Sequence, residues 1–200
     1  MPEQKRLSLA GIGCGSRTRT YMKLAMEQKN RYRIAAAADP VKQRTEAVRD
    51  FAPEEERDSV RLFKDAASLL AEPRLADVAI IGTQDDYHYA PCRKAMELGY
   101  HVLLEKPIAE TEAECRELER LARQANRHVI VCHVLRYALF YQKLKELLDA
   151  GAVGEIQSIQ AIERVGYWHQ AHSFVRGNWR NSDQTSPCLL YTSDAADDLT

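Results

Sequence analysis

Lys106 is the residue in this chain best placed to do chemistry. It stands in Glu105-Lys106-Pro107, straight after the apolar run Tyr100-His101-Val102-Leu103-Leu104. Proline keeps the residue before it out of the helical region, so Lys106 is expected to stay extended and hold its direction. In an open parallel α/β sheet, ligands bind just outside the carboxyl ends of the strands. An ordinary Lys–Pro turn would read the same in isolation, and the residues upstream decide between the two. Leu7 to Thr18 is an apolar run entering a glycine turn, with Gly13 and Gly15 in the first two places of G-x-G-x-x-G and Thr18 in the third. The first glycine serves a tight turn and the second lets backbone N–H groups approach a pyrophosphate. The third only eases the packing of helix on strand, so its loss is the least damaging departure. Gly11, in the strand end, is expected to allow close packing there. Tyr32 to Ala38 reads as a second strand ending in Asp39, at about the 20-residue spacing expected of a carboxylate on the adenosine ribose. An aspartate there favours NAD over NADP because it repels a 2′-phosphate. Lys42 and Arg44 stand close enough to compete with it.

These groups need a sheet to carry them, and the chain alternates short apolar runs with helical stretches, the pattern of a parallel sheet covered on both faces. Strands are predicted near 7–12, 33–38, 60–63, 77–82, 100–104 and 128–132. A helix is predicted from Thr111, where Thr111 and Glu114 form a capping box and Cys115, Leu118, Leu121, Ala122 and Ala125 make one apolar face. Another follows Asp86 and stops at Gly99, and a third runs from Ala138 to Ala150, ended by Gly151. The first domain is expected to close near residue 132. Glu155 to Glu163 reads as a half-buried strand opening a second domain, and Pro53 to Asp58 as a solvated loop.

With 28 basic and 29 acidic residues among 200, the charge balance gives no case for nucleic acid or an anionic membrane as partner. No apolar run approaches the roughly 18 residues that span a bilayer. The five cysteines are scattered and odd in number, which points to a reducing, cytoplasmic compartment rather than a disulfide framework or a zinc site.

Taken in order, the glycine turn, Ala38-Asp39-Pro40, Ile80 to His88, Glu105-Lys106-Pro107 and Leu135-Arg136-Tyr137 resemble the N-terminal part of the Gfo/Idh/MocA family of nicotinamide-dependent oxidoreductases. The segment Ala171 to Asn181 looks like a signature of one branch of it. The likeness runs from Leu7 to about Pro187, with Thr18 in place of glycine and Gln84 where the family often has proline. It implies a Rossmann doubly wound parallel sheet over residues 1–132, followed by the start of an α+β substrate and oligomerisation domain over 133–187. It implies NAD as cofactor, bound through Gly13, Gly15, Ser16, Arg17, Asp39, Thr83, His88, Glu105 and Lys106. His88 could equally be a hydrogen-bonding residue at a helix start. Arg136 could face the active site or form an interdomain salt bridge. Trp168, His169, Trp179 and Arg180, with Lys106 and Arg136, are expected to line a carbohydrate site, where aromatics cover C–H surface. His169 and His172 stand three apart, but no carboxylate or thiolate at ligand spacing accompanies them, and no metal is expected.

The chemistry implied is hydride transfer between NAD and a secondary alcohol of a sugar, polyol or related carbohydrate, with Lys106 as the catalytic group that takes the hydroxyl proton. Some relatives use transient oxidation to permit glycosidic cleavage. A non-catalytic NAD-sensing Rossmann protein is the other class the residues admit, although it would have no use for Lys106. The parent protein is expected to form a homo-oligomer. The last residues, from Cys188-Leu189-Leu190-Tyr191-Thr192 onward, read like a translated sequencing adapter. The chain is therefore expected to be a truncated product that is inactive as it stands.

Overall fold

A computed structural model of the protein describes residues 5–28, 30–162 and 164–177. Trp179, Arg180 and the adapter-like tail lie outside the described residues. Two units divide between Val131 and Cys132.

The first unit is a single six-stranded sheet. Its strands are β1 (Leu7–Ile12), β2 (Tyr32–Ala38), β3 (Arg61–Phe63), β4 (Val78–Ile81), β5 (His101–Leu104) and β6 (Val129–Val131), in the order β3-β2-β1-β4-β5-β6. Every pairing is parallel. The order reverses between β1 and β4, and this switch point is where a doubly wound sheet opens its ligand crevice. Helices α1 (Ser16–Glu27) and α2 (Lys42–Arg49) follow β1 and β2, while α3 (Ala66–Leu70), α4 (Tyr89–Glu97) and α5 (Glu112–Ala125) follow β3, β4 and β5.

Strands buried on both faces build two cores. Leu9, Ile34 and Ile80 pack with Met22 of α1 and Val48 of α2 on one side. Ile12, Ala36, Ile81, Val102 and Leu104 pack with Leu69, Met96 and Leu118 on the other. Local signals set the helix ends. Thr111 accepts from the Glu114 N–H while the Glu114 side chain receives the Thr111 N–H, closing the expected capping box. Gly99 ends the α4 segment at φ 87°. The segment 53–58, expected as a loop, is instead mostly a 3-10 turn over Glu54–Ser59, held where Arg57 donates to the carbonyls of Ala52 and Asp50.

The second unit opens with a 3-10 turn over Val134–Tyr137 and continues as α6 (Leu139–Asp149), which Gly151 ends at φ 70°. Among the described residues of the strand expected over 155–163 none is in a strand, and Ile156, Ile159 and Ile162 are exposed. A strand needs a neighbour to accept its N–H groups, and none lies beside it among the described residues. A helical turn over Tyr167–His169 runs into a π-helical stretch over Gln170–Val175. There the Trp168 ring sits 3.9 Å from that of His172.

Candidate functional site

The carboxyl ends of β1, β2, β4 and β5 bring the predicted cofactor residues of the first unit together. Gly13 leaves β1 at φ 75° and donates its N–H to the Ala38 carbonyl at 2.9 Å. A Cβ on Gly13 would stand 2.7 Å from the backbone nitrogen of Thr83, so no other residue fits without moving main chain. Gly15, the N-cap of α1, is different. Its backbone is extended, and the nearest atom to an added Cβ is the Gly82 carbonyl oxygen at 4.0 Å. Nothing in the protein's own packing requires glycine there; the space is kept open on the outer side.

That space lies at the N-terminus of α1, where unpaired N–H groups and the helix dipole favour an anion. No acidic residue stands in the first turn, and Ser16 and Arg17 are exposed beside it. A pyrophosphate is therefore suited to the turn in charge, donors and room. The missing third glycine is accommodated by its surroundings. Thr18 is fully buried, and its methyl lies 3.2 Å from where a Cβ on Gly11 would be. Its hydroxyl occupies the place of a Cβ on Gly82. Closeness usually won by a glycine on the helix is here won by glycines on β1 and after β4.

Asp39 is 4% exposed. Its Oδ2 accepts from the Cys14 N–H and its Oδ1 from the Val41 N–H, both at 2.8 Å. The carboxylate thus pins the glycine turn to the end of β2. Each oxygen keeps a further lone pair. The two cations nearby already have partners: Arg44 lies 3.7 Å from Asp39 Oδ2, and Lys42 lies 3.5 Å from Glu46. Burial, and after it the neighbouring Asp39 carboxylate, push the Cys14 thiol up to about 12. Cys14 is thus a packing residue in the turn.

Lys106 follows Glu105 at the end of β5, half-buried, and the Lys106–Pro107 peptide is cis. Glu105 is 7% exposed; it receives the Tyr21 hydroxyl on Oε1 and the Lys106 N–H on Oε2. Tyr21 carries no motif in the sequence, and only its place on α1 brings it here. Thr83 turns its hydroxyl onto the Tyr87 carbonyl at 2.9 Å. His88 lies between two of these loops. Its side chain has no exposed surface, with Nδ1 2.6 Å from the Pro107 carbonyl and Nε2 3.2 Å from that of Thr83. It touches the backbone of two site loops. Arg136, Trp168 and His169 belong to the second unit, where all three are exposed.

Residues 7–133 match the Gfo/Idh/MocA family model, described as an oxidoreductase family with an NAD-binding Rossmann fold. The chain belongs to this family. An uncharacterized oxidoreductase of Escherichia coli, YdgJ, is 26% identical over 191 residues, which cover 96% of this chain and 51% of that protein. D-xylose dehydrogenase of Paenarthrobacter nicotinovorans is 36% identical over 104 residues, 52% of this chain and 26% of that one. Among solved structures, an Agrobacterium radiobacter oxidoreductase in complex with NAD+, L-tartaric acid and magnesium is 27% identical, with a TM-score of 0.61 over 76% of this chain and 42% of its own. The scyllo-inositol dehydrogenase of Lactobacillus casei, at 20% identity and a TM-score of 0.63 over 76% of this chain and 43% of its own, shares the fold. The match spans between a quarter and about half of the length of the curated relatives. No helix among the described residues is long and apolar enough to cross a membrane.

Proposed function

We propose that the whole protein transfers a hydride between NAD and a secondary alcohol of a sugar, polyol or related carbohydrate, with Lys106 as the group that takes the hydroxyl proton. The observation that carries this reading is the open space at Gly15, at a helix N-terminus with no acid in its first turn, on the sheet whose β5 ends two residues before Lys106. When bound, NAD supplies the hydride acceptor. The chain's own residues do the rest. Gly13 sets the turn, Gly15 leaves room for the pyrophosphate, and Ser16 and Arg17 flank it. Asp39 offers its remaining lone pairs to the ribose hydroxyls and repels a 2′-phosphate. Asp39 favours NAD over NADP, with Arg44 at 3.7 Å and the exposed Lys42 as the cations that compete with it.

Glu105 holds the Lys106 N–H, and the lysine's ammonium is the proposed proton-handling group. The carbohydrate class is supported by the D-xylose dehydrogenase relative. Arg136, Trp168, His169, Trp179 and Arg180 are proposed as its substrate-side residues. Calorimetric titration of the chain with NAD and NADP tests the cofactor reading: tighter binding of NAD is expected, and equal or tighter NADP binding would overturn it. Screening sugars, polyols and hydroxy acids for NADH formation by the whole protein tests the chemistry. Lys106→Ala should abolish turnover while leaving NAD bound.

A further inference from the structure

We propose that His88 and Tyr21 are positioning residues that tie the Lys106 loop to the nucleotide turn, so that the placement of the lysine responds to occupancy of the turn. This rests on the reading of Lys106 as the proton-handling group. The residue on each side of Lys106 is held by a different element. Glu105, before it, is gripped by the Tyr21 hydroxyl from α1, the helix whose N-terminus is the glycine turn. Its other carboxylate oxygen turns back to the Lys106 N–H at 3.1 Å. Pro107, after it, gives its carbonyl to His88 Nδ1 at 2.6 Å.

The opposite nitrogen of that ring faces the Thr83 carbonyl at 3.2 Å, and the Thr83 backbone lies where a Cβ on Gly13 would clash. Two short routes therefore join the turn to the lysine, one through Thr83 and His88, the other through α1 and Tyr21. An imidazole N–H donates to one of these carbonyls while the ring packs against the other, so the side chain touches both loops. A histidine enclosed with both nitrogens on carbonyls is a costly way to fill space, and an apolar side chain would fill it more cheaply. Bridging two loops is what the ring adds.

Amide hydrogen exchange and 15N chemical shifts of the full chain test this, with ADP as probe because it carries the pyrophosphate but no nicotinamide. In the wild type, ADP should shift the signals of Glu105, Lys106 and Ile108. In His88→Leu and in Tyr21→Phe those shifts should shrink, and in the double variant vanish, while the signals of Gly13 and Gly15 still respond. His88→Gln, which keeps an N–H donor, should restore them in part, an outcome that simple loss of packing would not give. Without ligand, exchange at Lys106 should quicken about fivefold or more in both deletions, the equivalent of one lost hydrogen bond. Lysine-loop signals indifferent to ADP in the wild type, or equally responsive in all variants, would overturn the proposal. So would exchange quickened as much in α5 as at Lys106, which would mean general loosening. Failure of ADP to bind the wild type at all would count against the nucleotide reading itself, and the ligand-free exchange pattern would then decide the coupling alone.

Discussion

Alanine at Gly15 and alanine at Gly13 should fail in opposite ways. At Gly13 the backbone stands at φ 75°, and a Cβ would lie 2.7 Å and 2.8 Å from the nitrogen and Cα of Thr83. Left-handed backbone costs a residue with a Cβ about 1–2 kcal/mol, and overpacking against main chain adds about 1–3 kcal/mol, so Gly13→Ala should destabilise the fold by about 2–5 kcal/mol. At Gly15 the backbone is extended and the nearest protein atom to the new methyl is 4.0 Å away. Alanine gains about 0.4–1 kcal/mol by stiffening the unfolded chain and gives back a similar amount as a poorer N-cap, which leaves stability within about 0.5 kcal/mol of the wild type. The methyl nonetheless fills the room assigned to the pyrophosphate. NAD affinity should therefore fall at least about tenfold, or about 1.4 kcal/mol. Urea unfolding and calorimetric titration on the same two variants give both numbers. Gly15→Ala binding NAD as tightly as the wild type would refute the assignment of that space. Gly15→Ala unfolding as readily as Gly13→Ala would refute the claim that the protein itself does not need the glycine.

Further outcomes follow from the same geometry. Asp39→Asn can satisfy only one of the N–H groups of Cys14 and Val41 and no longer repels a 2′-phosphate; NADP affinity should rise toward that of NAD in parallel titrations, and an unchanged ratio would show that Asp39 does not discriminate. Burial first, with Arg127 and His128 beside it, holds His101 below the ordinary imidazole value of about 6.5. The unfolded chain then binds more protons in the window below that value, so this contribution to stability is complete above it and is lost as pH falls. Urea midpoints against pH should show this slope in the wild type, and His101→Gln should flatten it. Burial pushes the Cys92 thiol, like that of Cys14, up to about 12, so iodoacetamide should label the half-exposed Cys115 well before either in the native chain, as read by peptide mass spectrometry. Equal labelling would mean that the glycine turn opens readily.

Local chemistry was enough to read much of this protein from its residues. All six strands of the sheet announce themselves as short apolar runs, and the α5 capping box and the glycine stops after α4 and α6 need only neighbours in sequence. Gly13, Asp39 and Lys106 were legible because each must stand at a strand's end, where the turn residue is visible in the chain itself. What no local rule reaches is decided by which elements pack together. Thr18 is tolerable because glycines stand opposite it at positions 11 and 82. His88 reads from the sequence as either a ligand contact or a hydrogen-bonding residue at a helix start, and only the fold shows which carbonyls its nitrogens face. Tyr21 belongs to the lysine loop only because α1 lies along the face of the sheet where β5 ends. Ile156, Ile159 and Ile162 are imperfectly phased for a strand, and no strand forms there among the described residues, because pairing belongs to two segments and one segment's residues cannot supply it. Periodicity in the chain says which surface a segment would bury; only the tertiary structure says whether a partner is there to bury it.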